Sequence, residues 1–198
     1  MLTFSDMLVE YDRALDDTTA LASEVGDLAV PTPCADWDLA DLFGHMVGQN
    51  LGFATALADG DAPVAAYESV PVSVDDVARR WRDSAGRVRD AFGAADPEAT
   101  IHLAEFGFRP TVTVALSMQL LDAAVHAWDV ATALGRSYRP SESTIALVLD
   151  LARQIAARPG GTPVFAAPLA APLAAHGEDP WHDALSLLGR DPERLPAA

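Results

Sequence analysis

The sequence is poor in the residues on which secreted and nucleic-acid-binding proteins depend. Its single cysteine, Cys34, excludes an internal disulfide framework and suits a reducing compartment. Lys and Arg together number 13 against 29 Asp and Glu, and the net charge of −16 argues against nucleic acid or an anionic membrane as a partner. The first residues lack the basic and apolar regions of a signal peptide, so we expect a cytoplasmic protein.

Long hydrophobic runs free of charge are also missing. Residues 111–134 form the one stretch apolar enough to suggest a membrane span, but Asp122, His126 and Asp129 lie near its middle. Hydrocarbon penalises ionisable groups heavily, so we expect this segment to lie inside a soluble protein. A length of 198 residues, of which 50% are hydrophobic and 21% charged, suits a single domain over residues 1–198.

Hydrophobic periodicity and helix-capping residues predict an all-α fold. Ser73 followed by Asp76 resembles a capping box, and Gly135 follows the most apolar helix. A proline directly after Asp179 favours the start of a short last helix there. The predicted helices cover residues 5–26, 36–60, 73–92, 111–134, 141–158 and 180–189.

Two segments depart from this helical pattern. Apolar residues around His102 predict a short extended segment near residues 98–108. Residues 158–180 are rich in proline and alanine, and their scattered Phe and Leu residues predict a connector that packs on the core. Neither segment indicates a second domain.

The predicted helix over residues 111–134 carries a polar stripe. It has no Lys or Arg and only two Asp, whereas a surface helix of this length normally has a charged face. At about 100° per residue, four of its polar side chains fall within one arc of roughly 80°, with apolar residues on both sides. These four are Gln119, Asp122, His126 and Asp129. Such a stripe is expected to point into a bundle or a cavity.

Asp122 and His126 are the first candidate ligands of a divalent metal. They are four residues apart, so their side chains lie on the same side of the helix and can reach one ion. Two ligands rarely suffice, so a third has to come from another helix. His45 is the best candidate, because it lies beside glycines at every fourth position from Gly44, which allow close helix approach or room for a ligand. Two imidazoles and one carboxylate suit zinc or nickel.

The same residues allow simpler interpretations. Asp122 and His126 could form a hydrogen-bonded pair within one helix, and His45 could be a partly exposed histidine. Asp129 is more often a structural acceptor for a backbone or indole N–H. Cys34 follows a proline just before a helix, and packing is favoured over a nucleophilic role because no cationic residue is close in sequence.

Several stretches of the sequence resemble a known family. Residues 32–39 (TPCADWDL) and 41–47 (DLFGHMV) resemble the N-terminal signature of the mycothiol-dependent maleylpyruvate isomerase N-terminal-domain family, within the DinB-like superfamily. Residues 122–131 (DAAVHAWDVA) resemble its second signature, and residues 187–192 (LLGRDP) resemble the ending of its short single-domain members. The resemblance covers nearly the whole chain in order.

The resemblance implies a DinB-like four-helix bundle with additional C-terminal helices and a divalent metal at one end. Carried over by motif, the metal ligands would be His45 on the second helix and Asp122 with His126 on a later one. Asp122 stands where the isomerase has a glutamate. Gln119 and Asp129 would be outer partners that tune these ligands.

The resemblance also implies a function. Three protein ligands leave coordination positions open, as in catalytic metal sites. The implied enzyme activates a low-molecular-weight thiol, with mycothiol as the expected one, for S-transfer to a small electrophile or for isomerisation of it. Two alternatives stay open: a thiol-independent metal enzyme, for hydrolysis or specialised biosynthesis, and a non-catalytic metal- or ligand-binding bundle. The sequence is compatible with a monomer or a homodimer.

Overall fold

The computed structural model describes residues 2–34, 36–157 and 179–193, and in this part of the chain the fold is all-α, as predicted. The predicted connector over residues 158–180 lies almost wholly outside the described residues, so its packing stays a prediction. The α-helices are α1 (Phe4–Ala22), α2 (Leu39–Asp59), α3 (Val77–Ala94), α4 (Val112–Ala133), α5 (Glu142–Ala156) and α6 (Pro180–Leu187). A 3₁₀ helix (Val64–Tyr67) and two short strands, β1 (Asp61–Ala62) and β2 (His102–Leu103), complete the described elements.

Helices α1 to α4 form a four-helix bundle. Helix α1 packs against α3 and α4, and α2 packs against the same two helices from the other side. Large side chains such as Tyr11, Phe43 and Trp81 fill the space between them and are almost fully buried. Helix α5 packs on α4, and α6 packs on α5. The bundle with additional C-terminal helices is therefore confirmed.

Capping residues set the ends of the helices that carry the candidate ligands. Asp38 caps α2 by accepting a hydrogen bond from the backbone N–H of Asp41 at 2.9 Å, and Gly60 ends the helix at a φ of +77°. Thr111 caps α4, which ends before Gly135. Helix α3 begins at Val77 rather than at Ser73, because the intervening residues form a turn.

The predicted extended segment is present as strand β2. It pairs in parallel with β1, so that Asp61 lies opposite His102. Residues 104–107 then turn back, and Leu103 and Phe108 form an antiparallel bridge. This pairing holds the turn close to α2.

The glycines of α2 allow close approach of a loop rather than of another helix. A Cβ atom built on Gly44 would lie 2.6 Å from Ser69 Oγ, and one on Gly48 would collide with the backbone carbonyl of Glu68. A Cβ on Gly52 would enter the ring of Tyr67. The space beside these three glycines is therefore filled by other residues of the protein.

Helix α4 is buried around most of its circumference, as predicted. Across the described ranges, no helix is long and apolar enough to cross a membrane.

Candidate metal centre

Helices α2 and α4 bring the three predicted ligands together. His45, Asp122 and His126 each offer one donor atom, and these atoms all lie within 4.8 Å of one another. His126 Nε2 is 3.3 Å from Asp122 Oδ1. The imidazoles of His45 and His126 meet edge to face, with ring centroids 5.5 Å apart. Two elements far apart in sequence therefore form one cluster of nitrogen and oxygen donors.

The donor separation fits a small divalent ion. A tetrahedral ion with bonds of about 2.0–2.1 Å separates its ligand atoms by about 3.3 Å. The distance between His126 Nε2 and Asp122 Oδ1 has this value, and in the absence of metal the two side chains form an ion pair within the helix. His45 is partly buried beside them, so three protein donors face one small volume.

Asp129 fixes the orientation of the His126 ring. His126 Nδ1 lies 2.9 Å from Asp129 Oδ2, and both side chains are buried. An ionised carboxylate can only accept, so Nδ1 carries the proton and donates it. In the neutral form of His126 the lone pair is then on Nε2, which faces Asp122. Asp129 thus contacts a candidate ligand, and its role as an outer partner of a bound metal stays a prediction.

Arg190 is the main residue of this cluster that sequence reasoning missed. Its guanidinium donates to Asp129 through Nη2–Oδ2 at 2.8 Å and Nε–Oδ1 at 3.3 Å. Arg190 is only 1% exposed. It stands in the C-terminal motif, but its local sequence, beside Asp191 and a proline, is typical of a solvated turn and gives no sign of burial.

Gln119 lies on the same buried stripe, one helical turn before Asp122. Its Oε1 accepts a hydrogen bond from the hydroxyl of Tyr11 at 3.0 Å. This bond ties α4 to α1. A role of Gln119 as an outer partner of the metal ligands stays a prediction.

The two histidines differ in their electrostatic environment. Burial lowers the pKa of His45 to about 4, and the nearby carboxylate of Asp122 offsets this only partly. Burial also acts to lower the pKa of His126, but Asp122 and Asp129 outweigh it and raise the pKa to about 9. At neutral pH, His45 is therefore a neutral imidazole with a lone pair to offer, whereas His126 is protonated in the metal-free protein. A metal would have to displace the proton on Nε2 of His126.

The carboxylates of the cluster stay ionised despite their burial. Burial acts to raise the pKa of Asp122, but His126 outweighs it and holds this pKa below its usual value. The pKa of Asp129 is lowered in the same way, mainly by the charge of Arg190. Ionised oxygen donors are what a divalent cation requires.

Two further side-chain groups, also missed from the sequence, border the cluster. The indole of Trp37 lies against His45, with ring centroids 4.9 Å apart, and against His126 at 6.4 Å. One turn beyond His45, the buried Gln49 donates from Nε2 to Glu105 Oε2 at 2.9 Å. Burial and the charge of Asp122 raise the pKa of Glu105. An aromatic ring thus contacts the donor cluster, and a carboxylate whose pKa responds to the charge of Asp122 lies in the same region.

Cys34, His102 and His182 lie outside the donor cluster. Burial raises the pKa of Cys34 to about 11, and the opposing charge of Arg190 does not overcome it. His102 pairs with Asp61, Nδ1 to Oδ1, at 2.8 Å. His182 lies on α6, and His176 is outside the described residues.

Comparisons with known proteins identify the family. Residues 10–131 match the mycothiol maleylpyruvate isomerase N-terminal domain. The chain belongs to this family. Two uncharacterized proteins from two strains of Mycobacterium tuberculosis are 29% identical to it over 134 residues, which is 67% of this chain and 69% of each relative.

Solved structures show the same fold. The crystal structure of the mycothiol-dependent maleylpyruvate isomerase superposes with a TM-score of 0.63 at 12% identity. A histidine-to-alanine mutant of that enzyme superposes with a TM-score of 0.64 at 13% identity. Each comparison covers 76% of this chain and 70% of the isomerase. The resemblance predicted from the sequence motifs is therefore confirmed for the family and the fold.

Proposed function

We propose that this protein is a divalent-metal-dependent enzyme of the mycothiol-dependent type, which uses a low-molecular-weight thiol for S-transfer to a small electrophile or for its isomerisation. The observation that carries the proposal is the cluster of His45, Asp122 and His126 in a chain of this family, with donors within 4.8 Å of one another. Zinc and nickel are the metals that two imidazoles and a carboxylate suit best.

The chain's own residues would prepare the site. His45 and His126 would supply nitrogen donors and Asp122 an oxygen donor, with Asp129 orienting His126 from behind. Three protein ligands leave coordination open, and a metal bound there would favour the deprotonated form of a thiol. Trp37 would cover one side of the histidines and limit access of water.

The primary test is metal binding by the purified, untagged protein. We expect about one zinc or nickel ion per chain by elemental analysis, or uptake of one ion on titration. H45A and H126A should each lose the ion and still fold, as checked by circular dichroism. H102A is the matched control and should bind like the wild type, because His102 pairs with Asp61 outside the cluster. No metal in the native protein and no uptake on titration would overturn the proposal.

A thiol assay then separates the enzyme from the alternatives. The metal-loaded protein should accelerate consumption of mycothiol by an electrophile, and the metal-free protein should not. Metal binding without consumption of any thiol would favour a thiol-independent enzyme or a non-catalytic binding bundle.

A further inference from the structure

Arg190 is buried beside the metal cluster and is bonded to Asp129. Among the described residues it is the one buried arginine, and it lies 59 positions beyond the end of the matched family domain at residue 131. A buried guanidinium is costly unless its donors and its charge are satisfied. Here Nη1 donates to the Leu188 carbonyl at 2.8 Å, while Nε and Nη2 both bind Asp129.

The bidentate contact fixes the plane of the Asp129 carboxylate. Oδ1 accepts from Arg190 Nε, and Oδ2 accepts from both Arg190 Nη2 and His126 Nδ1. Rotation of the carboxylate would break at least one of these contacts. The direction of the His126 ring is therefore set from the C-terminal segment through Asp129.

Helix α6 delivers this arginine to the buried end of the stripe. Trp181, Leu185 and Leu188 bury their side chains in the cluster that also contains Leu121 and Trp128 of α4. After α6, Gly189 turns the chain at a φ of +83°, and the Arg190 backbone N–H donates to the Leu185 carbonyl at 2.9 Å. Docking of α6 on α4 and α5 thus brings Arg190 to Asp129.

We propose that Arg190 is a positioning residue of the metal centre: it holds Asp129 so that His126 presents Nε2 to the ion. The inference rests on the proposed metal site and deepens it, because it makes a segment outside the matched domain part of that site. Removing the guanidinium would leave Asp129 buried without its bidentate partner and free His126 to turn or to change tautomer.

The test compares zinc affinity across a set of variants, by competition with a chelating indicator. R190M should bind zinc about 10- to 100-fold more weakly than the wild type, the range typical of lost outer partners of metal ligands. R190K should lie between the two, because it keeps the charge but not the fork geometry. D129N should also weaken binding. If Arg190 acts through Asp129, the zinc affinity of the double variant R190M/D129N should equal that of whichever single variant binds zinc less tightly.

A control variant separates positioning from general stability. L185A removes a buried α6 side chain but keeps the guanidinium, so it should lower stability while zinc affinity stays near that of the wild type. In the zinc-bound wild type, nitrogen-15 NMR should show His126 protonated at Nδ1, and R190M should weaken or shift this signal. Circular dichroism checks folding. If R190M does not fold, the single variants R190K and D129N are compared with the wild type instead.

Three results would overturn the inference. The first is equal zinc affinity of wild type and R190M, which would leave the proposed function intact. The second is a double variant whose loss is the product of the two single losses, since Arg190 would then act independently of Asp129. The third is failure of the wild type to bind zinc or nickel, which would overturn both proposals together.

Discussion

At the scale of single residues, hydrogen bonds already made by some polar atoms of the candidate metal centre leave other atoms to bind a metal. The Nδ1 atom of His126 is engaged by Asp129, and both oxygens of Asp129 are engaged by Arg190. His126 Nε2 and one Asp122 oxygen face each other at 3.3 Å. A cation entering the cluster therefore meets, at His126, a donor whose other ring nitrogen is held in place.

The charge of Asp122 can be tested apart from its shape. D122N keeps the size of the side chain but replaces an ionised oxygen donor by an amide, so we expect at least about a tenfold loss of metal affinity, or about 1.4 kcal/mol. The matched control is D61N, which alters a carboxylate paired with a histidine outside the cluster. Titration with zinc measures both, and equal affinity of D122N and wild type would remove Asp122 from the ligand set.

Cys34 gives a pH-dependent prediction. Because burial raises the pKa of its thiol to about 11, only on the order of one molecule in ten thousand carries the thiolate at pH 7. Alkylation by iodoacetamide, followed by mass spectrometry, should be slow at neutral pH and accelerate about tenfold per pH unit until pH 11 is approached. C34S should leave metal binding and turnover unchanged. Loss of turnover in C34S with the metal retained would instead make Cys34 the nucleophile.

At the scale of elements, α2 is shaped by the loop that lies across it. Gly48 meets the backbone carbonyls of Tyr67 and Glu68, and Gly52 meets the Tyr67 ring. The sequence suggested helix approach or ligand space for these glycines. The structure fills the space with residues 67–70, and the Val70 backbone N–H donates to the Gly44 carbonyl at 3.0 Å. This contact fixes the face of α2 next to the one that carries His45.

This packing predicts opposite effects of one substitution at two helical glycines. G48A should destabilise the protein by about 1–3 kcal/mol, because the added methyl group collides with backbone that cannot rotate away. G86A in α3 meets no atom within 4 Å and should stabilise by about 0.5–1 kcal/mol through helix propensity. Urea unfolding measures both changes. If G48A left the free energy of unfolding unchanged, residues 67–70 would not be packed against α2 at this position.

At the scale of the whole molecule, local signals predicted the helices and one half of the site. The helix starts predicted at residues 36 and 111 lie within a few residues of the observed starts at Leu39 and Val112, because the cap of a helix acts on its own first turn. The stripe on α4 likewise follows from helical spacing. His45 reaches that stripe only through the tertiary packing of α2 against α4. The prediction that His45 is a metal ligand rested partly on the family resemblance.

The remaining parts of the site depend on contacts that no local pattern records. Arg190 reaches Asp129 across 61 positions, and Glu105 reaches Gln49 across 56. Neither pair shares a helix or a spacing rule. The burial of Arg190 depends on how α6 docks, and that docking is a property of the assembled core.

The whole protein is expected to catalyse a metal-dependent reaction of a thiol. With zinc or nickel bound, the enzyme should accelerate addition of a thiol to a small electrophile, and removal of the metal by a chelator should abolish the acceleration. Mycothiol should give a higher kcat/KM than simple thiols, because contacts with its sugar part can orient the sulfur. Thiol consumption is followed spectrophotometrically, with H126A as the metal-free control and H102A as the matched active one. Equal rates for mycothiol and a simple thiol would remove mycothiol as the specific co-substrate, and activity that survives complete removal of metal would contradict the proposed role of the His45, Asp122 and His126 cluster.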